Sequence, residues 1–237
     1  LHPHSVLRVY PRDIFKICWP VLKSVFKVGI PFAIEQMFFN GGSILVQMYI
    51  VTLGTLSVSA NAVTNSAFAI IYSAGLAVGT LAITIVGQCI GADQKKLAKW
   101  YGKKMILLGT IVTLLSIAVF MPLMPLILMM YQAPTETLSV IYMLLITAII
   151  PMPFFWSISN VMPSVLRAAG DATFTSVVSL ITMWVMRVGV GYLLSITLGF
   201  GVIGVWISMG LEWAVRSLVF WIRYKGNRWL TKKTIED

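Results

Sequence analysis

Four ionisable side chains, Glu35, Arg187, Glu212 and Arg216, fall inside runs of the chain that are otherwise apolar. A charge at the centre of a membrane-spanning helix costs about 2.5–3.5 kcal/mol on insertion scales, so such residues face a bundle interior and mark functional sites. Glu212 and Arg216 stand four residues apart and can pair on one helix face. The pair acts either as a self-neutralising structural contact or as a gate or charge relay. Arg187 has no acid beside it in sequence, so its partner is Glu212 on another segment or a set of backbone carbonyls. Glu35 has no neighbouring cation, and burying a lone carboxylate favours its protonated form, which suits proton exchange. Positions 36, 40, 43 and 47 keep helical spacing, so Gln36, Asn40, Ser43 and Gln47 form one polar stripe. Hydrocarbon cannot satisfy amides, so the stripe faces a partner helix or a wet cavity. Glu35, Gln36, Asn40 and Gln47 are therefore the candidate substrate or ion-binding residues, and Arg187, Glu212 and Arg216 the structural or gating charges. Asn61 and Asn65 are a further amide pair one turn apart, of the kind that joins or caps helices.

The elements that hold these residues read as an all-α integral membrane bundle. Mean hydropathy is +0.88, 58% of residues are apolar and 11% are charged, against about 25% charged in soluble domains. A span needs about 20 apolar residues, and six such runs are present, at 28–53, 61–88, 105–130, 138–166, 174–198 and 202–222. Residues 1–27 form a basic lead, in which Asp13–Lys27 reads as an interfacial helix, and 223–237 a basic tail. Pro151 and Pro153 are expected to kink the fourth span. Gly75 and Gly79, four apart, favour close helix packing. The loop Gly87–Lys104 carries five lysines against one acid, Asp93. With the lead, the Arg167–Thr173 turn and the tail it holds 16 of the 18 Lys and Arg residues, whereas the three opposite turns hold none. Basic loops stay in the cytoplasm, which predicts six crossings with both termini on the cytoplasmic side of the cell membrane.

Other classes fit less well. The net charge of +10 flanks apolar runs instead of forming a polar basic domain, which excludes nucleic acid as a partner and points to anionic lipid. No His lies within a span and no nucleophile elbow or paired carboxylates occur, so no enzyme, metal site or cofactor is expected. His2 and His4 belong to the lead, and Cys18 and Cys89 read as isolated thiols without a disulfide. The chain opens at Leu1 with no signal peptide and reads as a fragment that begins partway through a larger protein.

The segments VTLGTLSVSANAVTNSAFAI, AGLAVGTLAITIVGQCIGADQKKLAKW, PSVLRAAGDATF and GVIGVWISMGLEWAVRSLVFWIRYKGNRW occur in that order. Together they resemble the C-terminal lobe of the multidrug and toxic compound extrusion (MATE) transporters. The GQxxGA element before the basic loop and the LRAAGD turn are the most specific parts. The resemblance implies one six-helix lobe of a twelve-helix transporter. It would be a secondary antiporter that exports organic, often cationic, drugs or metabolites by alternating access in exchange for H+ or Na+. It also implies a partner, either the missing N-terminal six-helix lobe or a second copy of this chain. Some members carry an acid in the first and fourth helices of this lobe; Glu35 lies in the first, and the fourth span here has none. Two alternatives stand beside this reading. One is a flippase for lipid-linked sugars, which would favour Arg187 and Arg216 facing a cleft. The other is a truncated remnant that does not transport.

Overall fold

The computed structural model describes residues 19–131, 135–226 and 228–230, and every regular element among them is helical. Seven α-helices follow one another: α1 (Trp19–Thr52), α2 (Thr55–Gly91), α3 (Lys95–Met130), α4 (Thr135–Ile149), α5 (Ser157–Ala168), α6 (Ala172–Thr182) and α7 (Gly201–Lys225). Three stretches are wound more widely, as π-helix, at Met152–Trp156, Met183–Val190 and Leu193–Thr197. Among the described residues four helices are long and apolar enough to cross a membrane: α2, α3, α7, and α6 with its continuation to Thr197. A fifth is the pair Thr135–Ile149 and Met152–Ala168, bent by 41°. The bend expected at Pro151 and Pro153 is there, because a proline ring cannot sit under the preceding turn.

Two compact units make up the chain, Leu1–Asn40 and Gly41–Asp237. In the first, α1 is helical from Trp19, nine residues before the start read from the sequence. Proline is tolerated in the opening turn of a helix, so Pro20 does not delay it. The described part of the expected interfacial helix is thus the first turns of α1; Asp13–Cys18, His2 and His4 lie outside the described residues. Ile30, Ile34 and Phe38, spaced by four, present an exposed apolar row suited to lipid, while Glu35 is buried.

In the second unit the core forms two clusters strung along the helices. One gathers Phe68 and Ile71 of α2, Leu144 and Leu145 of α4, and Trp206 and Trp213 of α7. The other gathers Val86 of α2, Ala98 of α3, Val161 and Leu166 of α5, Phe220 of α7 and Trp229. Gly75 and Gly79 lie between them. A Cβ on Gly75 would run into the Trp156 ring, and one on Gly79 would lie 3.3 Å from Ser164 Oγ, so the pair seats the π-helical turn and α5 against α2.

The LRAAGD turn closes α5 with a Schellman motif. Asp171 N–H donates to Leu166 O and Gly170 N–H to Arg167 O, both at 3.0 Å, and Gly170 takes φ +84°, where only glycine is unstrained. The turn delivers Asp171, fully buried, to the end of α7. There Arg223 donates to it through Nε at 2.7 Å and Nη2 at 3.2 Å, with the guanidinium lying 4.6 Å over the Phe174 ring. Tyr224 donates to Lys99 O at 2.6 Å and ties α7 to α3 at the same end.

Candidate functional site

The second unit contains a cavity of about 180 Å³ in an otherwise apolar bundle. Its polar wall is Ser43 and Gln47 of α1, Asn61 and Asn65 of α2, and Arg187 of the π-helical stretch. Val46 and Ile50 of α1 and Val205, Trp206 and Met209 of α7 supply the apolar wall. Helical spacing brings each set to one face: 43, 47 and 50 on α1, 61 and 65 on α2.

A chain of hydrogen bonds fixes the wall. Trp206 Nε1 donates to Asn61 Oδ1 at 3.0 Å, Asn61 Nδ2 donates to Gln47 Oε1 at 3.4 Å, and Asn65 Nδ2 donates to Asn61 O at 2.9 Å. Tyr49 donates from its hydroxyl to Arg187 O at 2.9 Å, which secures the carbonyl within the widened turn. π-helical turns recur at functional sites because they re-aim side chains, and here the turn carries Arg187 toward α7.

Behind the cavity wall, Glu212 is fully buried between two arginines. Arg187 donates from Nε to its Oε2 at 2.6 Å, and Arg216 donates from Nη2 to its Oε1. Arg216 also donates from Nε to Thr182 Oγ1 at 3.2 Å and from Nη2 to Ser179 O at 3.4 Å. A buried charge requires this degree of pairing, because an unpaired one in low dielectric is strongly unfavourable. The cluster holds two cations and one anion, so it keeps one positive charge, and Arg187 is the member that reaches the cavity.

The structure therefore brings Gln47 and Arg187 to one cavity and joins Arg187, Glu212 and Arg216 in one ion cluster. Gln36 and Asn40 are exposed on α1 in the first unit, and Glu35 is buried there. Of the expected polar stripe, Ser43 and Gln47 line the cavity. Asn61, read as a helix join, is also the centre of its hydrogen-bond chain. Tyr49, Trp206, Ser179 and Thr182 were not among the candidates; their contacts span distant parts of the chain, which no local spacing reveals. Asp171 and Arg223 had a weak signal, a lone acid in a turn predicted on the same membrane side as a basic tail. Cys89 is a buried free thiol, and Cys18 lies outside the described residues. Among the described residues no group of three His, Cys, Asp or Glu side chains is placed to hold a metal.

Comparison with known proteins gives a consistent result. The MatE family model matches residues 31–193. An uncharacterized transporter, YisQ of Bacillus subtilis (strain 168), is 28% identical over 228 residues, covering 95% of this chain and 50% of its own. A probable multidrug resistance protein NorM of Thermotoga maritima is 22% identical, covering 92% of this chain and 48% of its own. A MATE crystallised in complex with MaD5 superposes with a TM-score of 0.77 at 20% identity, over 86% of this chain and 47% of that one. A MOP superfamily transporter from Pyrococcus furiosus, described as having a binding pocket of reverse polarity that suggests a different function, superposes with a TM-score of 0.72 at 22% identity, over 90% and 45%. The chain spans about half the length of the relatives it matches. With a family model over most of its helices and the same fold in solved relatives, this multi-pass membrane chain belongs to the MatE family.

Proposed function

We propose that this chain is one six-helix lobe of a transporter that exports small organic compounds by alternating access, driven by inward H+ or Na+. The six crossings are α1, α2, α3, the bent α4–α5 pair, α6 with its continuation to Thr197, and α7, with both ends in the cytoplasm. The observation that carries this reading is the cavity walled by Gln47, Asn61, Asn65 and Arg187 inside an apolar bundle of a MatE chain. Amides and a guanidinium at membrane depth are costly unless they serve a ligand or each other. The half-length match supports a partner lobe, supplied by the same reading frame or by a second copy of the chain. Glu35 on α1 is the candidate for ion coupling.

The flippase reading has one observation in its favour: Arg187 gives the cavity a basic lining. It predicts movement of lipid-linked sugars and none of soluble organic probes.

The test is efflux from cells expressing the gene that encodes this chain, with a panel of cationic, zwitterionic and anionic fluorescent probes and with H+ and Na+ gradients imposed separately. Export of at least one probe that collapses with one gradient is expected, and Glu35→Gln lowers it, because an amide neither carries a charge nor exchanges a proton at this position. Absence of gradient-driven efflux for the whole panel overturns the export reading. Unchanged transport in Glu35→Gln removes Glu35 from the coupling.

A further inference from the structure

Trp206 sets the polarity of the cavity, because its indole is a donor with no acceptor. The Asn61 oxygen must therefore face it, and the Asn61 nitrogen is turned to Gln47, whose oxygen it meets. Gln47 is held by its oxygen, so its Nε2 group is left for the cavity; among the described residues nothing accepts from it. Arg187 commits Nε to Glu212, and its two Nη groups have no acceptor among the described residues. Glu212 is shared between Arg187 and Arg216, so the three side chains together keep one net positive charge. Arg216 points the other way, to Thr182 and Ser179. The cavity thus offers amide and guanidinium donors beside a cluster that is positive overall.

We propose that this cavity is an oxyanion subsite, in which Gln47 Nε2 and the Nη groups of Arg187 hold a carboxylate or phosphate group. That the held group belongs to a transported compound rests on the export reading above; that the cavity binds it does not. Guanidinium and amide donors on a charged oxygen form short, strong hydrogen bonds, and a guanidinium fork fits a carboxylate or phosphate edge. An ammonium group would meet the Arg187 charge instead and is disfavoured. At about 180 Å³ the cavity is smaller than the roughly 300–1,000 Å³ of sites that enclose drug-sized molecules. It accommodates one acidic group and a small apolar body against Val46, Ile50 and Trp206, with the rest of a larger ligand outside.

The experiment uses the chain in phosphatidylcholine nanodiscs and ligand-observed fluorine NMR with three probes of one shape: para-fluorobenzoate, para-fluorophenyl phosphate and para-fluorobenzylammonium. The two anions bind and the ammonium does not. Gln47→Glu, which replaces the donor with a carboxylate, weakens para-fluorobenzoate by about tenfold or more, and Gln47→Leu, which only removes the donor, weakens it by about tenfold. Adding phosphatidylglycerol separates two sources of the oxyanion: displacement of the probes marks a lipid headgroup, and unchanged binding a free organic anion. Preference for the ammonium, equal binding of all three probes, or no binding overturns the subsite, as does unchanged benzoate affinity in both variants. The efflux assay reports on the other reading independently. Anion binding without efflux sinks export and leaves the subsite; efflux of organic cations without anion binding does the reverse.

Discussion

Glu212 lies between two guanidinium groups with no exposed surface of its own, and the pairing decides what its loss does. Glu212→Ala leaves Arg216, 8% exposed, without its counter-charge, and breaking a buried pair in this way costs about 3–5 kcal/mol. Removing Arg216 as well takes away the stranded cation, so Glu212→Ala with Arg216→Ala unfolds less readily than Glu212→Ala alone. Arg187, at 20% exposure and beside the cavity, keeps access to solvent in either variant. Thermal melts in detergent compare the two, and equal melting temperatures contradict the pairing. This cluster was legible in the sequence for a simple reason. Two opposite charges one turn apart must share a face, and an arginine in a span with no local acid must look elsewhere for one. The Trp206–Asn61–Gln47 chain was not legible, because its first link joins residues 145 positions apart and nothing local marks a tryptophan as a donor to a particular amide.

At the scale of the elements, α7 packs tightly against the third π-helical stretch, Leu193–Thr197. A Cβ on Gly204 would lie 2.8 Å from the backbone of Leu194 and Ser195, which cannot swing aside as a side chain would. Gly204→Ala is expected to destabilise by about 1–3 kcal/mol through overpacking. By contrast, Gly87→Ala on α2 meets nothing within 4 Å and is expected to be neutral or to gain up to about 1 kcal/mol of helix propensity. Denaturant-induced unfolding of the two variants checks this, and equal stabilities would contradict the proposed backbone contact. The bend of the α4–α5 pair was readable from Pro151 and Pro153, and the four crossing-length helices and the bent pair from length and hydropathy. The π-helical stretch Met183–Val190 was not. It carries no proline, and its apolar pattern suits an α-helix equally well, so nothing local distinguishes the two. The early start of α1 is hidden in the sequence because the lysines at 23 and 27 end the uninterrupted apolar run.

For the molecule as a whole, the chain covers about half of its MatE relatives, and its charges are distributed along the sequence with strong asymmetry. Basic residues collect at the lead, the lysine loop, the LRAAGD turn and the tail, while the turns at the other ends of the helices carry no Lys or Arg. The helical class follows from composition alone, because a bilayer leaves few other solutions for such a chain. The cavity does not, since it requires α1, α2, the π-helical stretch and α7 to converge. The proposal of a transport lobe depends first on the lysine loop facing the cytoplasm. The direct measurement is labelling by a membrane-impermeant maleimide of Lys96→Cys and, separately, Thr55→Cys, both exposed positions, with Cys18 and Cys89 replaced by alanine. Labelling of position 96 only in inside-out vesicles, and of position 55 in intact cells, is the predicted result. Labelling of position 96 in intact cells would contradict it.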